Sequence, residues 1–264
     1  MSSVELLALA VPLSFVLMLL IERRWPARAF PAVRHWHWIG AALFIYAGVV
    51  NSLLPALLPS DWLRAHSLLH LHTLGLWPSV LIAHLLITLV TYTWHRATHA
   101  SPLLWRLFHQ MHHAPRHLNL YAANLLHPAD LAMYVILPTA VALFVLGLDP
   151  WAAAIVGNLG ALNAFFQHWN VRTPRWLGYF VQRPEAHCIH HQRGYHQKNY
   201  SDLPLWDWLF GTYENPRTWA GDTGFDAPAD ARYLAMLAGV DVNATTLGTG
   251  SIGQARPNAA APLA

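Results

Sequence analysis

Histidine supplies 18 of the 264 residues, and eight of them recur at spacings suited to holding a metal. His95 and His99 stand four apart in HRATH, His109, His112 and His113 follow in HQMHH, and the same HxxHH pattern returns at His187, His190 and His191 in HCIHH. Offsets of three and four bring side chains onto one helical face, so each set is expected to turn its imidazoles in a common direction. An ion takes at most about six donors and must keep a position for water or substrate. Eight imidazoles therefore imply two metals sharing a site. A histidine-rich chain yields isolated HxxH pairs by chance, and buried histidines often serve backbone carbonyls, but neither accounts for HxxHH occurring twice. Neutral imidazole suits iron, copper, zinc and nickel, which leaves the metal open. Cys188, inside HCIHH, is the single cysteine; it excludes an internal disulfide and a thiolate cage and reads as a small buried hydrophobe.

The elements that must carry these side chains are apolar. Hydrophobic residues make up 55% of the chain and charged residues 11%, far from the roughly 25% charged of a soluble domain, and mean hydropathy is +0.29. Spans long enough to cross a bilayer are expected at 4–21, at about 38–58, and from about Leu76 to Trp94, the last delivering the chain directly to His95. A signal peptide would carry its basic residues before the first apolar run; here Glu22, Arg23 and Arg24 follow it. After the second cluster comes a polar, irregular stretch, PRHLNLYAANLLHPAD, and then two shorter apolar pieces at 131–148 and 151–169. Asp149 and Pro150 join these as a helical hairpin, spanning or re-entrant. Trp25, Trp36, Trp38, Trp62 and Trp77 fall near the ends of apolar runs, as in interfacial belts. From Asn170 the chain reads as a soluble cap, and from 241 to 264 as a disordered tail. The fold class expected is an all-α integral membrane protein: about four transmembrane helices, with the hairpin open to a re-entrant form, and a helical cytoplasmic cap carrying the di-metal site. It forms one membrane-embedded domain over 1–240 with a core at about 92–216.

Basic residues sort by side. Arg23, Arg24, Arg28, Arg34, Arg96, Arg106, Arg116, Arg172, Arg175, Arg183, Arg193 and Lys198 lie in connections on one side and Arg64 on the other. The positive-inside rule then puts the amino terminus outside and all three histidine clusters in the cytoplasm. The pI near 9.2 comes without a dense basic patch, so nucleic acid is not a partner. One lysine among 16 basic residues and abundant alanine point to a GC-rich bacterial source and an inner membrane. No GxxxxGK is present, and flavin or nicotinamide is expected to sit on a partner. Three function classes remain: a di-metal lipid oxygenase, a zinc-dependent membrane hydrolase, and a non-enzymatic metal or haem handler. The hydrolase is weakened by the absence of HExxH and of any glutamate inside a cluster. A transport relay would place histidines within the spans, whereas the clusters begin where the apolar runs stop. His66, His70, His72 and His84, on the outer half, read as interfacial residues.

HRATH, HQMHH and HCIHH in that order, with QHWN before the last, resemble the fatty acid hydroxylase and sterol desaturase superfamily of membrane di-iron oxygenases. HHAPRHLNLYAANLLHP and NYSDLPLWDWLFGTYENP are similar to two further blocks of that family, so the resemblance runs from about Tyr92 to Pro216. It implies metal ligands at His95, His99, His109, His112, His113, His187, His190 and His191, with His168 of QHWN as a ninth. His127 in LLHPAD and His196 in GYHQKNY are weaker candidates. Some members carry another histidine four positions beyond the one matching His168; Arg172 stands there in this chain. Asp207, ahead of Asp130 and Glu185, is the candidate acid for orienting imidazoles. Arg96 and Arg106 are candidates for lipid head groups or an electron donor. The resemblance further implies two iron ions, which zinc can replace in a purified sample, O2 as cosubstrate, and a lipid substrate hydroxylated or desaturated at an unactivated C–H bond. Electrons would come from an external donor, a ferredoxin or small haem protein with its reductase.

Overall fold

The computed structural model describes residues 3–243. Among these the regular structure is helical, with a lone bridge between Gln192 and Thr223 and no strand. The long helices are α1 (Ser3–Arg24) and α2 (Trp36–Ala56), then, after the short α3 (Ser60–Ala65), α4 (Leu76–Ala100). One turn, α5 (Pro102–Leu104), runs into a π-helical turn over Trp105–His109. Next come α6 (Pro128–Ala140), prolonged as a π-helical turn to Val145, and α7 (Pro150–His168). Three short helices complete the set: α8 (Pro184–His190), α9 (Pro204–Leu209) and α10 (Tyr233–Leu237).

Four segments are long and apolar enough to cross a membrane: Leu6–Arg24, Trp36–Ala56, Leu76–Ala100 and Pro128–Val145. α7 is the partner of α6 in the expected hairpin, and its start is set locally. Asp149 is its N-cap, accepting from the amides of Trp151 and Ala152, and Pro150 takes the first helical position, where no amide is needed. α4 packs against α6 and α7, α2 against α6, and α1 against α7. The approach of α2 requires Gly40, where a Cβ would lie 2.2 Å from the Tyr121 ring.

Three expectations change on folding. The stretch read as polar and irregular is a central part of the core: Leu118, Leu120, Tyr121, Ala122 and Leu125 are buried, packed on Phe15, Trp36 and Phe165. Its asparagines made it look like surface, yet Asn119 is buried with both amide ends used, accepting from Trp36 Nε1 at 2.8 Å and donating to Glu22 at 2.9 Å. Trp36 is accordingly no belt residue, while Trp25, Trp38, Trp62 and Trp77 are exposed as expected. Glu22 closes the first span from inside the protein. It is buried and also accepts the amides of Leu120 and Asn170, tying α1 to both segments that flank the histidine clusters. Of the tail expected from 241, Val242 is buried and donates its amide to Gln110; residues 244–264 lie outside the described residues.

Candidate metal centre

The nine histidines of the HRATH, HQMHH, QHWN and HCIHH stretches come together in two adjoining groups. His95, His99, His109, His113 and His190 form one, and His112, His168, His187 and His191 the other; within each group one nitrogen per residue lies within 4.8 Å of all the rest. Each histidine arrives differently. His95 and His99 occupy successive turns at the end of α4 and point the same way, as their spacing predicts. The HQMHH set is not on one continuous face. A π-helical turn ends at His109, where the Gln110 amide reaches back to the Trp105 carbonyl at 2.8 Å, and residues 110–113 are a turn. His112 and His113 diverge, one to each group. In α8, opened by Pro184 after the Arg183 N-cap, His187 serves the four-membered group and His190 the five-membered one, and His191, the C-cap, joins His187. His168 ends α7.

Five of the nine rings have their outward nitrogen bonded, while Nδ1 of His113 and of His187 is buried without a hydrogen-bond partner. Nδ1 of His95 donates to the Tyr200 carbonyl at 2.6 Å, that of His109 to Asp130 Oδ2 at 2.7 Å, and that of His190 to the Lys198 carbonyl at 2.8 Å. In the other group Nδ1 of His168 donates to the Ala164 carbonyl at 2.7 Å and that of His112 to the Leu125 carbonyl at 3.3 Å. Such bonds fix the tautomer and leave a lone pair on Nε2 facing inward. What those inward nitrogens meet is the test of fit. Nε2 of His95, His99, His109, His113 and His190 is buried with no hydrogen-bond partner, an arrangement that costs free energy unless something else occupies the lone pairs. In the four-membered group Nε2 of His168 lies 3.2 Å from those of His112 and His187, and Nε2 of His187 lies 3.1 Å from that of His191. Nitrogens about 2.0–2.1 Å from a tetrahedral ion stand about 3.4 Å apart, so four lone pairs crowd to nearly the separation one ion imposes. Both groups fit a metal. The rings of His113 and His191 stack at 4.2 Å across the boundary, so the two groups share a wall.

Burial, followed by the neighbouring imidazoles, holds His113 and His191 well below the ordinary histidine range; burial with the adjacent histidines does the same for His112, His187 and His190. These rings are neutral at physiological pH, the form a metal needs. Cys188 packs into the apolar core, and burial pushes its thiol up to about 12.

The remaining candidates separate. His196 lies 4.7 Å, ring to ring, from His113 and bonds through Nδ1 to the His190 carbonyl, beside the five-membered group but outside it. His127 is the N-cap of α6, accepting from the Ala129 amide, and does not join the cluster. Among the acids the order from sequence is reversed. Asp130 touches a histidine directly and also accepts from Trp94 Nε1 at 3.0 Å. Asp207 acts one step away: it accepts the amides of Tyr200 and Ser201, fixing the carbonyl that holds His95. Glu185 binds Thr173 and the fully buried Arg183. Arg183, counted from sequence as a topology charge, is a scaffold cation that also donates to Asn215 and Pro216 at the start of α8. Asn170 and Asn199 acquire roles as well. Asn170 ties Glu22 and Arg28 to the end of α7, and Asn199, in a left-handed conformation, bridges the Ala186 carbonyl of α8 to Glu214. Ahead of α4, His66, His70 and His72 bond to Trp62, Ser67 and Gly147 and belong to neither histidine group.

Residues 80–212, about half the chain, match the model of the fatty acid hydroxylase family. The chain is 29% identical over 131 residues to the sphingolipid C4-hydroxylase of Schizosaccharomyces pombe, covering 48% of this chain and 45% of that protein. To the ornithine lipid hydroxylase of Rhizobium tropici it is 30% identical over 153 residues, covering 56% of this chain and 45% of the relative. The matched region thus spans a little under half the length of either relative. No solved structure matches.

Proposed function

This chain belongs to the fatty acid hydroxylase family, and on that premise we propose that it is an O2-dependent di-iron oxidoreductase that hydroxylates an unactivated C–H bond of a membrane lipid. The observation that carries the proposal is the cluster of buried, unpartnered imidazole nitrogens held at the end of a helix apolar enough to cross a membrane. His95, His99, His109, His113 and His190 would hold one ion, and His112, His168, His187 and His191 the other. Two bound irons supply the reductive activation of O2 by which R–H, O2, two electrons and two protons become R–OH and water. The electrons come from an external donor protein, a ferredoxin or small haem protein with its reductase.

The chain's own contribution is geometric. Carbonyls of Tyr200, Lys198, Leu125 and Ala164 take the outward protons and keep each ring's lone pair inward. Asp130 makes His109 a stronger donor than a carbonyl partner would. Apolar packing on the same segments keeps water away from the rings. Hydroxylation is favoured over desaturation because both relatives are named hydroxylases. Charge asymmetry supports a cytoplasmic site with the amino terminus outside, and one lysine among 16 basic residues with abundant alanine supports a bacterial inner membrane.

Elemental analysis of detergent-purified protein together with 18O2 labelling tests this. The expected result is about two irons per chain and label from 18O2 in a hydroxylated lipid. Stoichiometric zinc retained after iron-replete growth, with no O2 uptake and with ester or amide cleavage instead, overturns it in favour of a hydrolase.

A further inference from the structure

The segment after the last histidine cluster is expected from sequence to belong to a soluble cap, and its contacts run along the side of α4. Trp206, in α9, donates its indole N–H to Thr88 Oγ1 at 3.0 Å, and Thr88 lies halfway along α4 (Leu76–Ala100). Continuing along the same helix, Phe210 stacks on Tyr92 at 5.3 Å, Thr212 bonds to the Tyr92 hydroxyl, and the Tyr200 carbonyl meets His95. At 1.5 Å rise per residue, Thr88 is about 10 Å deeper along α4 than His95, where the polar sequence begins. α9 therefore lies beside the Thr88–Tyr92 stretch of α4, on the apolar side of His95.

The face this segment leaves open has the composition of that environment. In and beside α9, Trp208 is 68% and Leu209 64% exposed, with Leu205 and Phe210 also open. The turn Arg175–Tyr179 packs on α9 and adds exposed Trp176 and Tyr179, followed by Phe180 at 67%. The single charge of α9, Asp207, is turned inward and bonded to backbone amides. Beside it a groove of about 450 Å³ lined by Tyr92, Thr93, Ala97, Ala100 and Phe210 carries Arg96, an exposed residue whose guanidinium donates to the Tyr92 hydroxyl at 3.1 Å. A cation above an apolar floor is the order of groups met on passing from phosphate to acyl chain.

We infer that α9 and the Arg175–Phe180 segment are inserted into the leaflet on the metal side, so that the aromatic face between them contacts lipid chains and not water or a protein partner. The consequence reaches the metal centre. α9 carries Asp207, Asp207 fixes Tyr200 and Ser201, and Tyr200 holds His95, so the seat of this helix in lipid positions one of the ligands.

The inference rests on α4 crossing the bilayer, as the proposed function also assumes, and the experiment reads that separately. Cys188 is the sole native cysteine and is buried, so single reporter thiols can be introduced and labelled with a nitrobenzoxadiazole dye in liposomes. Trp208→Cys and Phe180→Cys report the aromatic face, Leu81→Cys the exposed lipid side of α4, and Thr218→Cys the polar surface. The labels at 208, 180 and 81 are expected to lose fluorescence to brominated acyl chains and to resist dithionite, while the label at 218 is bleached completely. Labels at 208 and 180 bleached as readily as that at 218, with 81 protected, overturn the inference while leaving the span intact. Protection at 208 and 180 without quenching by brominated chains means that protein covers the face, and overturns it as well. Water exposure at 81 removes the span, and the inference with it.

Discussion

The five-histidine and four-histidine groups draw on the same two HxxHH stretches with the assignments exchanged. HQMHH gives its outer pair, His109 and His113, to the larger group and His112 to the smaller; HCIHH gives His187 and His191 to the smaller and His190 to the larger. The groups differ in what stands behind them. The larger has a carboxylate, Asp130, behind His109, while the outward bonds found in the smaller go to neutral backbone carbonyls. One group therefore has a surplus donor and an anionic support, and the other has neither. The lesson is that a repeated motif does not mean a repeated role, because the helix or turn beneath it decides which ring faces which way.

The largest test of this asymmetry removes one ligand from each group. His187→Ala leaves three imidazoles in its group and should abolish hydroxylation with loss of about one metal per chain, whereas His99→Ala leaves four and should retain more metal at equal chelator concentration. Equal loss from both would mean that the groups are equivalent. Asp130→Asn comes next. It should weaken metal affinity about 10- to 100-fold in the five-membered group alone, read as biphasic chelator release, and Asp207→Asn, acting through Tyr200, should do less. A reversed order would restore the ranking expected from sequence.

Acid separates the metal-free from the loaded protein. His112, His113, His187, His190 and His191 sit below their unfolded value in the fold, mainly through burial. Their neutral form is favoured above the unfolded pKa of about 6.5. As pH falls below it the unfolded chain takes up protons that the fold refuses, and stability drops by about 1.4 kcal/mol per pH unit for each such proton. The metal-free protein should therefore show a melting temperature that falls steeply between about pH 6.5 and pH 5; a flat profile would mean that the rings are solvated. The smallest effect belongs to the shared scaffold. Glu22→Gln replaces one of two acceptor oxygens that serve Asn119, Leu120 and Asn170. It should cost about 1–3 kcal/mol in thermal stability with the metal content of both groups unchanged.

Much of the site was legible because its residue types are so restrictive. Imidazoles at offsets of three and four beside apolar spans leave few chemistries, and His168 followed from the family blocks. Asp130 was ranked too low for a physical reason: it lies 21 residues from His109 along the chain, at the head of an apolar helix where it looks like a first-turn acid. Glu22, Arg183 and Asn199 were illegible in kind, since a buried charge or a left-handed asparagine carries no local signature and is defined only by partners distant in sequence.

The sequence by itself determined that there would be helices long and apolar enough to cross a membrane, that histidine clusters would follow the ends of such helices, and that more imidazoles were present than one ion can use. Those properties are periodic and compositional, and each is written in a stretch short enough to read. Which ring joins which group, which acid supports it, and that the segment carrying α9 lies against the middle of α4 were decided by the tertiary structure alone. Each depends on the direction of a side chain relative to an element far away in the chain, and no local pattern encodes that direction.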